Sequence, residues 1–514
     1  MSSDNDVNII IEKQNNEITA LRNENVALKE SLDELQMQLN WLKKQVFGKK
    51  SEKTSSLMGD DNQLSMFSDA SEESNPSSND DKTVIVPAHK RKAKRTHDDW
   101  MNSLKVEEVL HKLNLEDLKC EKCGSEMIII GPEKVRDELV YIPAQYFIRR
   151  HIAEVAKCTH CGYDESRDAE YEDTDKCNFH KAEVPKPLIP NSFCSAELIA
   201  NIIYEKYSNA VPLYRQEKSL SNKKIYLSRE TMANWVIHTA QNWGEPVVKA
   251  MKPELMKSNV IHADESPITV LHEKGRKATS ESKMWAYCNG RINDKSIVIF
   301  DYTETRKSEH PINFLKGYTG YLVCDGYPGY NAVPDVTRCA CLTHIRRKFL
   351  KTLPSDPEQR KTSVSAKVIA YISDIYAIEE KLKDESREIR YETRLAETKP
   401  LLDALYAYLE SITTMKSSLG EAVRYALNEK KNMYSFLECP DVPVDNNRAE
   451  NCIRPYTVGR KNWLHCNTPD GATASAIWYS IISTAYANGL NVEKYLSDLF
   501  SNPAGTILLP WNEK

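Results

Sequence analysis

At 514 residues the chain is longer than one hydrophobic core usually serves, so several domains are expected. Its 69 basic and 74 acidic residues give a formal net charge of −5, which would argue against nucleic acid were the charge evenly spread; instead acidic residues crowd 59–81 and basic ones cluster at 90–95, 338–351 and 454–461. There is no N-terminal signal pattern and no apolar run near the ~18–20 residues that span a bilayer, so a soluble cytoplasmic protein without a membrane partner is expected. Thirteen cysteines, four of them in two close pairs, fit a reducing compartment and one metal site rather than a disulfide framework.

Residues 7–47 carry a heptad, with Ile11, Ile18, Asn25, Leu32, Leu39 and Val46 at one core position and Val7, Gln14, Leu21, Leu28, Leu35 and Leu42 at the other. The pattern predicts a coiled-coil homodimer whose register Asn25 fixes; the alternative is a long helix packed on its own protein. Residues 48–97 read as a flexible linker ending in the basic run HKRKAKR, which could touch phosphates or simply be solvated. Within 105–165, Cys120 and Cys123 form one pair and Cys158 and Cys161 another, each second cysteine followed by glycine, Gly124 or Gly162. Four thiolates so spaced predict a small zinc ribbon around structural Zn²⁺, and such a closed site leaves no open position for catalysis. A polar linker follows at 163–190. Residues 190–250 are helical in pattern: Ser195 starts a stripe of Leu198, Ile202 and Ile203, and Ser228 could cap a helix bearing Arg229, Thr231, Asn234 and Trp235. A helix-turn-helix-like DNA contact and an ordinary core helix both remain open there.

Strands are expected at 259–264, 283–288, 296–301 and 320–324, with a short helix at 309–316. NVIHADESPITV and GYLVCDGYPGYN are apolar runs that each deliver an aspartate near a strand end, Asp264 and Asp325. Glu265 should point to the opposite face from Asp264. VDNNRAENCIRPYTVGRKNWL, residues 444–464, predicts a short helix begun by Asp445 and ended at Arg454 by Pro455. Its Ala449, Cys452 and Ile453 would face the core, while Asn446, Asn447, Glu450 and Arg454 share another face, with Arg460, Lys461 and Trp463 beyond. A surface helix with an internal Glu–Arg pair is the alternative. If the two aspartates and Glu450 converge, three carboxylates could hold two Mg²⁺ (or Mn²⁺) ions about 3.5–4 Å apart for in-line displacement at phosphorus. CLTHIRRKF predicts a basic helix in which His344, Arg346, Arg347 and Lys348 could grip DNA phosphates, although a lone histidine is equally explained by packing. Residues 352–438 read as a helical insertion without a motif. A final helix at about 472–487 is expected to brace the Glu450 helix, ahead of a C-terminal segment, 491–514.

The phrases HADESPI, LVCDGYPGYN, CLTHIRRKF, DNNRAEN…IRP…GRKNWL and DGATASAIWYSIISTAYANGLN resemble the transposases of the insertion-sequence-66 family, bacterial DDE enzymes, and the similarity runs from about residue 42 to 496. It implies a multidomain α+β / α/β protein with a ribonuclease-H-like mixed-sheet core, 256–350 and 440–490, interrupted by the helical insertion. Carried over by position, the family's catalytic acids match Asp264, Asp325 and Glu450. The resemblance further implies double-stranded DNA partners (transposon ends and target), a zinc ribbon touching end DNA, His344 close to the scissile bond, and companion proteins of the same element. Arg454, Arg460 and Lys461 are candidate DNA contacts. One departure is Asn451, where the family usually has arginine. Rival readings are a catalytically dead zinc-containing DNA-binding regulator and a nuclease that stops at hydrolysis.

Overall fold

The structure, a computed structural model, describes Ser125 and residues 145–157, 179–290, 295–413 and 416–511. The expected coiled coil at 7–47, the linker of 48–97 with its basic run, and Cys120, Cys123, Cys158 and Cys161 lie outside the described residues. The chain divides into two compact units, residues 50–184 and residues 1–49 with 185–514. In the first, β1 (Val155–Lys157) pairs antiparallel with β2 (Phe179–Lys181), so the stretch read as a linker contains a strand.

In the second unit, α1 (Ala196–Tyr207) begins at Ser195, whose hydroxyl accepts from Leu198 N at 3.2 Å, and it buries Ile199, Ile202 and Ile203. α2 (Leu213–Asn222) leads to α3 (Arg229–Thr239), where Ser228 accepts from Thr231 N at 3.2 Å. Met232, Trp235 and Val236 of α3 are core residues, while Arg229 and Asn234 stay exposed. A π turn, Ala240–Gly244, continues into α4 (Glu245–Met256).

The sheet is built from β3 (Val260–Thr269), β4 (Glu281–Asn289), β5 (Val298–Thr303), then α5 (Glu309–Phe314), β6 (Tyr321–Cys324) and β7 (Thr337–Ala340). Its order is β5-β4-β3-β6-β7; β4 runs antiparallel to both neighbours, and β3, β6 and β7 are parallel. The sheet lies in the middle of the core: Met284, Trp285, Ala286, Tyr287 and Cys288 on β4 and Leu322, Val323 and Cys324 on β6 are wholly buried. Two expectations are corrected. β3 does not stop at 264 but runs to Thr269 alongside β4, because beyond His262 it has a ladder neighbour only on that side, and there Pro267, lacking an N–H, is tolerated. β7 was not anticipated, since Arg338 interrupts its four residues.

α6 (Leu342–Lys351) follows directly. The stretch 352–438 is helical, as expected: α7 (Pro357–Thr362), α8 (Val364–Lys381), α9 (Arg387–Thr393), α10 (Lys399–Glu410), α11 (Ser418–Asn428) and α12 (Lys430–Tyr434). α13 (Asn447–Trp463) overturns the expectation of a short helix ending at Arg454. Pro455 sits inside it and removes one backbone bond, to the carbonyl of exposed Asn451, while Ile453, Tyr456 and Gly459 keep the next turns seated in the core. α14 (Pro469–Ala487) and α15 (Val492–Ser501) close the chain. Instead of mainly bracing α13, which it meets through Tyr479 against Tyr456 and Trp463, α14 lies along the outer edge of β5. There Thr484 Oγ1 accepts from Val298 N at 3.0 Å and Ser480 Oγ accepts from Phe300 N at 2.8 Å. Among the described residues no helix is long and apolar enough to cross a membrane.

Candidate active site

Parallel pairing of β3 with β6 sets Val260 opposite Tyr321, Ile261 opposite Leu322 and His262 opposite Val323. Asp264 and Asp325 each lie two residues beyond the last of these pairs, and the Asp325 charge reaches the Asp264 carboxyl. Asp264 is therefore in mid-strand by β4 pairing, yet it stands where the parallel ladder ends. Asp325 begins the loop after β6, and its Oδ1 accepts from Tyr327 N at 3.0 Å.

Glu450 reaches this point because α13 is fastened to β3. Asn446, fully buried, donates from Nδ2 to Ala263 O at 2.8 Å and pairs its Oδ1 with His262 Nδ1 at 3.0 Å. Its own N–H meets Cys341 Sγ at 3.2 Å. Asn446 thus does not share an outward face with Glu450 and Arg454, as the spacing suggested; the two buried polar groups it satisfies on β3 draw it inward. Farther along, Tyr456 Oη donates to Pro267 O at 3.2 Å and Arg460 Nη1 to Ser266 Oγ at 2.9 Å. Asp445 Oδ1 accepts from Asn447 N at 3.0 Å, the role expected of it.

The carboxylates feel one another. Burial pushes Asp264 up to about 8, and the charges of Glu265, Asp325 and Glu450 push the same way against the Glu265 N–H that its Oδ1 accepts. Burial, then Asp325, also raises Glu265, opposed by the Tyr330 hydroxyl at 2.7 Å and by Arg306, whose Nε donates at 2.6 Å. Glu265 is held by these partners, and its charge acts on Asp264 as that of Asp325 does. Arg306 also lies 3.9 Å from Asp325 Oδ2 and stacks over the Tyr327 ring. Arg347 Nη2 donates to Glu450 Oε2 at 2.6 Å, while Glu450 Oε1 is buried without a partner. His344, on α6, is held below the usual histidine range by burial, against the pull of Asp325 and Glu450. An all-oxygen cluster of like charges suits a hard divalent cation, which would offset the burial and the repulsion that raise Asp264.

The other predicted contacts are more dispersed. Lys348 is exposed, with its ammonium 5.2 Å from the Tyr425 ring, and Arg346 is half-buried. Arg454 and Lys461 are exposed on α13, whereas Arg460 is tied to β3. Sequence reasoning missed four supports: Arg306; the Asn446–His262 clamp; Arg338; and Tyr425. Buried Arg338 bonds Asp325 O at 2.5 Å and pairs with Glu429 at 2.9 Å, and Tyr425 Oη accepts from Gly326 N at 3.2 Å. A Cβ on Gly326 would strike the Tyr425 ring, so glycine is required at that turn. The helical insertion thereby holds the Asp325 loop. A polar His262 inside an apolar strand was the one legible signal for any of these.

A family model described as "Transposase IS66 family" matches residues 191–474. A second, "zinc-finger binding domain of transposase IS66", matches 117–162, which spans all four paired cysteines, and "Transposase C of IS166 homeodomain" matches 34–109. Among curated proteins, the uncharacterized protein y4hP of Sinorhizobium fredii (strain NBRC 101917 / NGR234) is 26% identical over 77% of this chain and 73% of its own length. Protein y4jD of the same strain is 24% identical over 78% of this chain and 79% of its own length.

Proposed function

The chain belongs to the Transposase IS66 family, so it is a DNA-binding protein of mobile elements, and on that premise we propose that it cleaves transposon ends and joins their 3′ hydroxyls to target DNA. The observation that carries the proposal is that Asp264 and Asp325 lie just beyond the end of the β3–β6 ladder, with Asp325 and Glu450 both close enough to act on the Asp264 carboxyl. The strand order β5-β4-β3-β6-β7, with only β4 reversed, supports a ribonuclease-H-like core. Asp264, Asp325 and Glu450 would hold Mg²⁺ or Mn²⁺. Bound there, the cations would supply activation of the attacking water or 3′ hydroxyl and neutralise charge on the phosphate oxygens. The chain's own part is to fix those three acids on two strands and a clamped helix, so that the phosphodiester meets them in one geometry. Arg347, Arg346, Lys348, Arg454 and Lys461 offer cations to phosphates flanking the scissile bond, with His344 beside them and Arg460 holding α13 on β3.

Cys120, Cys123, Cys158 and Cys161 would bind the ribbon's Zn²⁺, and residues 7–47 would pair two copies so that both ends are held together. Companion proteins of the same element would act with that dimer.

Incubating the protein with a labelled transposon end and Mg²⁺ tests the reading. Asp264→Asn, Asp325→Asn and Glu450→Gln should each abolish nicking while end binding persists. Full activity in any of them removes that acid from the site. No nicking by the native chain would favour the regulator, and nicking without joined product the nuclease.

A further inference from the structure

At the N-terminus of α6, Cys341 and His344 stand one helical turn apart and face Glu450 across the site. The cysteine sulfur, an imidazole nitrogen and a carboxylate oxygen all lie within 4.8 Å of one another, and among the described residues they form the one mixed cluster of this kind. Two polar atoms in this cluster are buried with no hydrogen-bond partner, His344 Nδ1 and Glu450 Oε1. Unsatisfied buried polar atoms are uncommon, and an unfilled ion site is one standing reason for them. Meanwhile Arg347 holds the other Glu450 oxygen at 2.6 Å and so orients the carboxylate, as an outer partner orients a metal ligand.

We propose that Cys341, His344 and Glu450 form a soft-metal site, with Zn²⁺ as its natural occupant, that competes with the Mg²⁺ site for Glu450 and switches the enzyme off. The donor set is thiolate, imidazole and carboxylate, which a borderline-soft ion prefers and Mg²⁺ avoids. Tetrahedral Zn²⁺, with bonds of about 2.0–2.3 Å, asks its ligands to sit about 3.5 Å apart, so the cluster needs only small side-chain movements to close. A fourth position stays open for water. Binding forms an S–Zn bond and releases the Cys341 thiol proton to solvent; nothing is oxidised. With Glu450 turned to this site, Asp264 and Asp325 are left without their third carboxylate. The regulatory consequence rests on the acid assignment made above, but the metal site itself does not.

The full-length chain, stripped of metal and titrated with Co²⁺, tests both parts. Thiolate-to-cobalt charge-transfer absorption should develop in two steps, one for the ribbon cysteines and one for Cys341, and Cys341→Ala should lose the second step alone. In Mg²⁺ nicking assays, added Zn²⁺ should inhibit the native chain at least about tenfold more strongly than Cys341→Ala, each measured against its own zinc-free rate. A native titration that ends with the ribbon overturns the proposal without any variant, as does equal zinc sensitivity in the two proteins. If the native chain never nicks in Mg²⁺, the transposase reading fails while the cobalt steps still decide whether the metal site exists.

Discussion

Burial and the neighbouring carboxylates make the charge state of Asp264 depend on pH in the neutral range. A carboxyl raised in the folded state stabilises the fold only while protonated, so that contribution is present in full below the ordinary aspartate range and is lost as pH rises through about 8. The metal-free protein should therefore melt at progressively lower temperature from about pH 5 to about pH 8 and level off above that, and Asp264→Asn should flatten the trend. Saturating Mg²⁺ should flatten it too in the native chain, since a cation replaces the proton. A slope unchanged in Asp264→Asn would assign the effect to another group. Both aspartates were legible because each ends an apolar run, a rare place for a charge. Arg306 and Arg338 were not, because nothing in TETRKSEH or DVTRCACL distinguishes an arginine aimed at a carboxylate from one in solvent.

At the scale of elements, the position of α13 decides whether Glu450 belongs to the site. Asn446→Ala would remove the bonds to Ala263 O and His262 Nδ1, costing about 2–4 kcal/mol in urea unfolding. Nicking should fall by about a hundredfold, because displacement of a catalytic group by about 1 Å is enough for that loss. Normal activity in a folded Asn446→Ala variant would mean that the remaining anchors, Tyr456 and Arg460 on β3, suffice. The existence of this helix, of four of the five strands and of the helical insertion was readable from periodicity. The extent of β3 and α13 was not, since Pro267 and Pro455 normally mark ends, and only tertiary pairing lets the chain run through both. The insertion's purpose was equally hidden: Tyr425 and Glu429 act on a loop about a hundred residues away in sequence.

For the whole molecule, the mild net negative charge is the sum of acidic and basic stretches that are spread unevenly along the chain. Removal of residues 1–47 should convert a dimer into a monomer in light scattering. Nicking of isolated ends should survive while complexes containing two ends disappear. A truncated chain that still pairs ends would assign dimerisation elsewhere. The cysteine pairs ahead of the sheet were legible because their spacing is its own signal, and the zinc-finger family model matches residues 117–162; the heptads lie outside the described residues.

The side chains of Ser480 and Thr484 answer the backbone of β5 as a sixth strand would, accepting its N–H groups at Phe300 and Val298. An open sheet edge at high local concentration is exposed to the commonest accident of sheet proteins, strand-to-strand recruitment between molecules. By placing two hydroxyls on that border, α14 makes this side of the sheet a dead end for fibrillar growth.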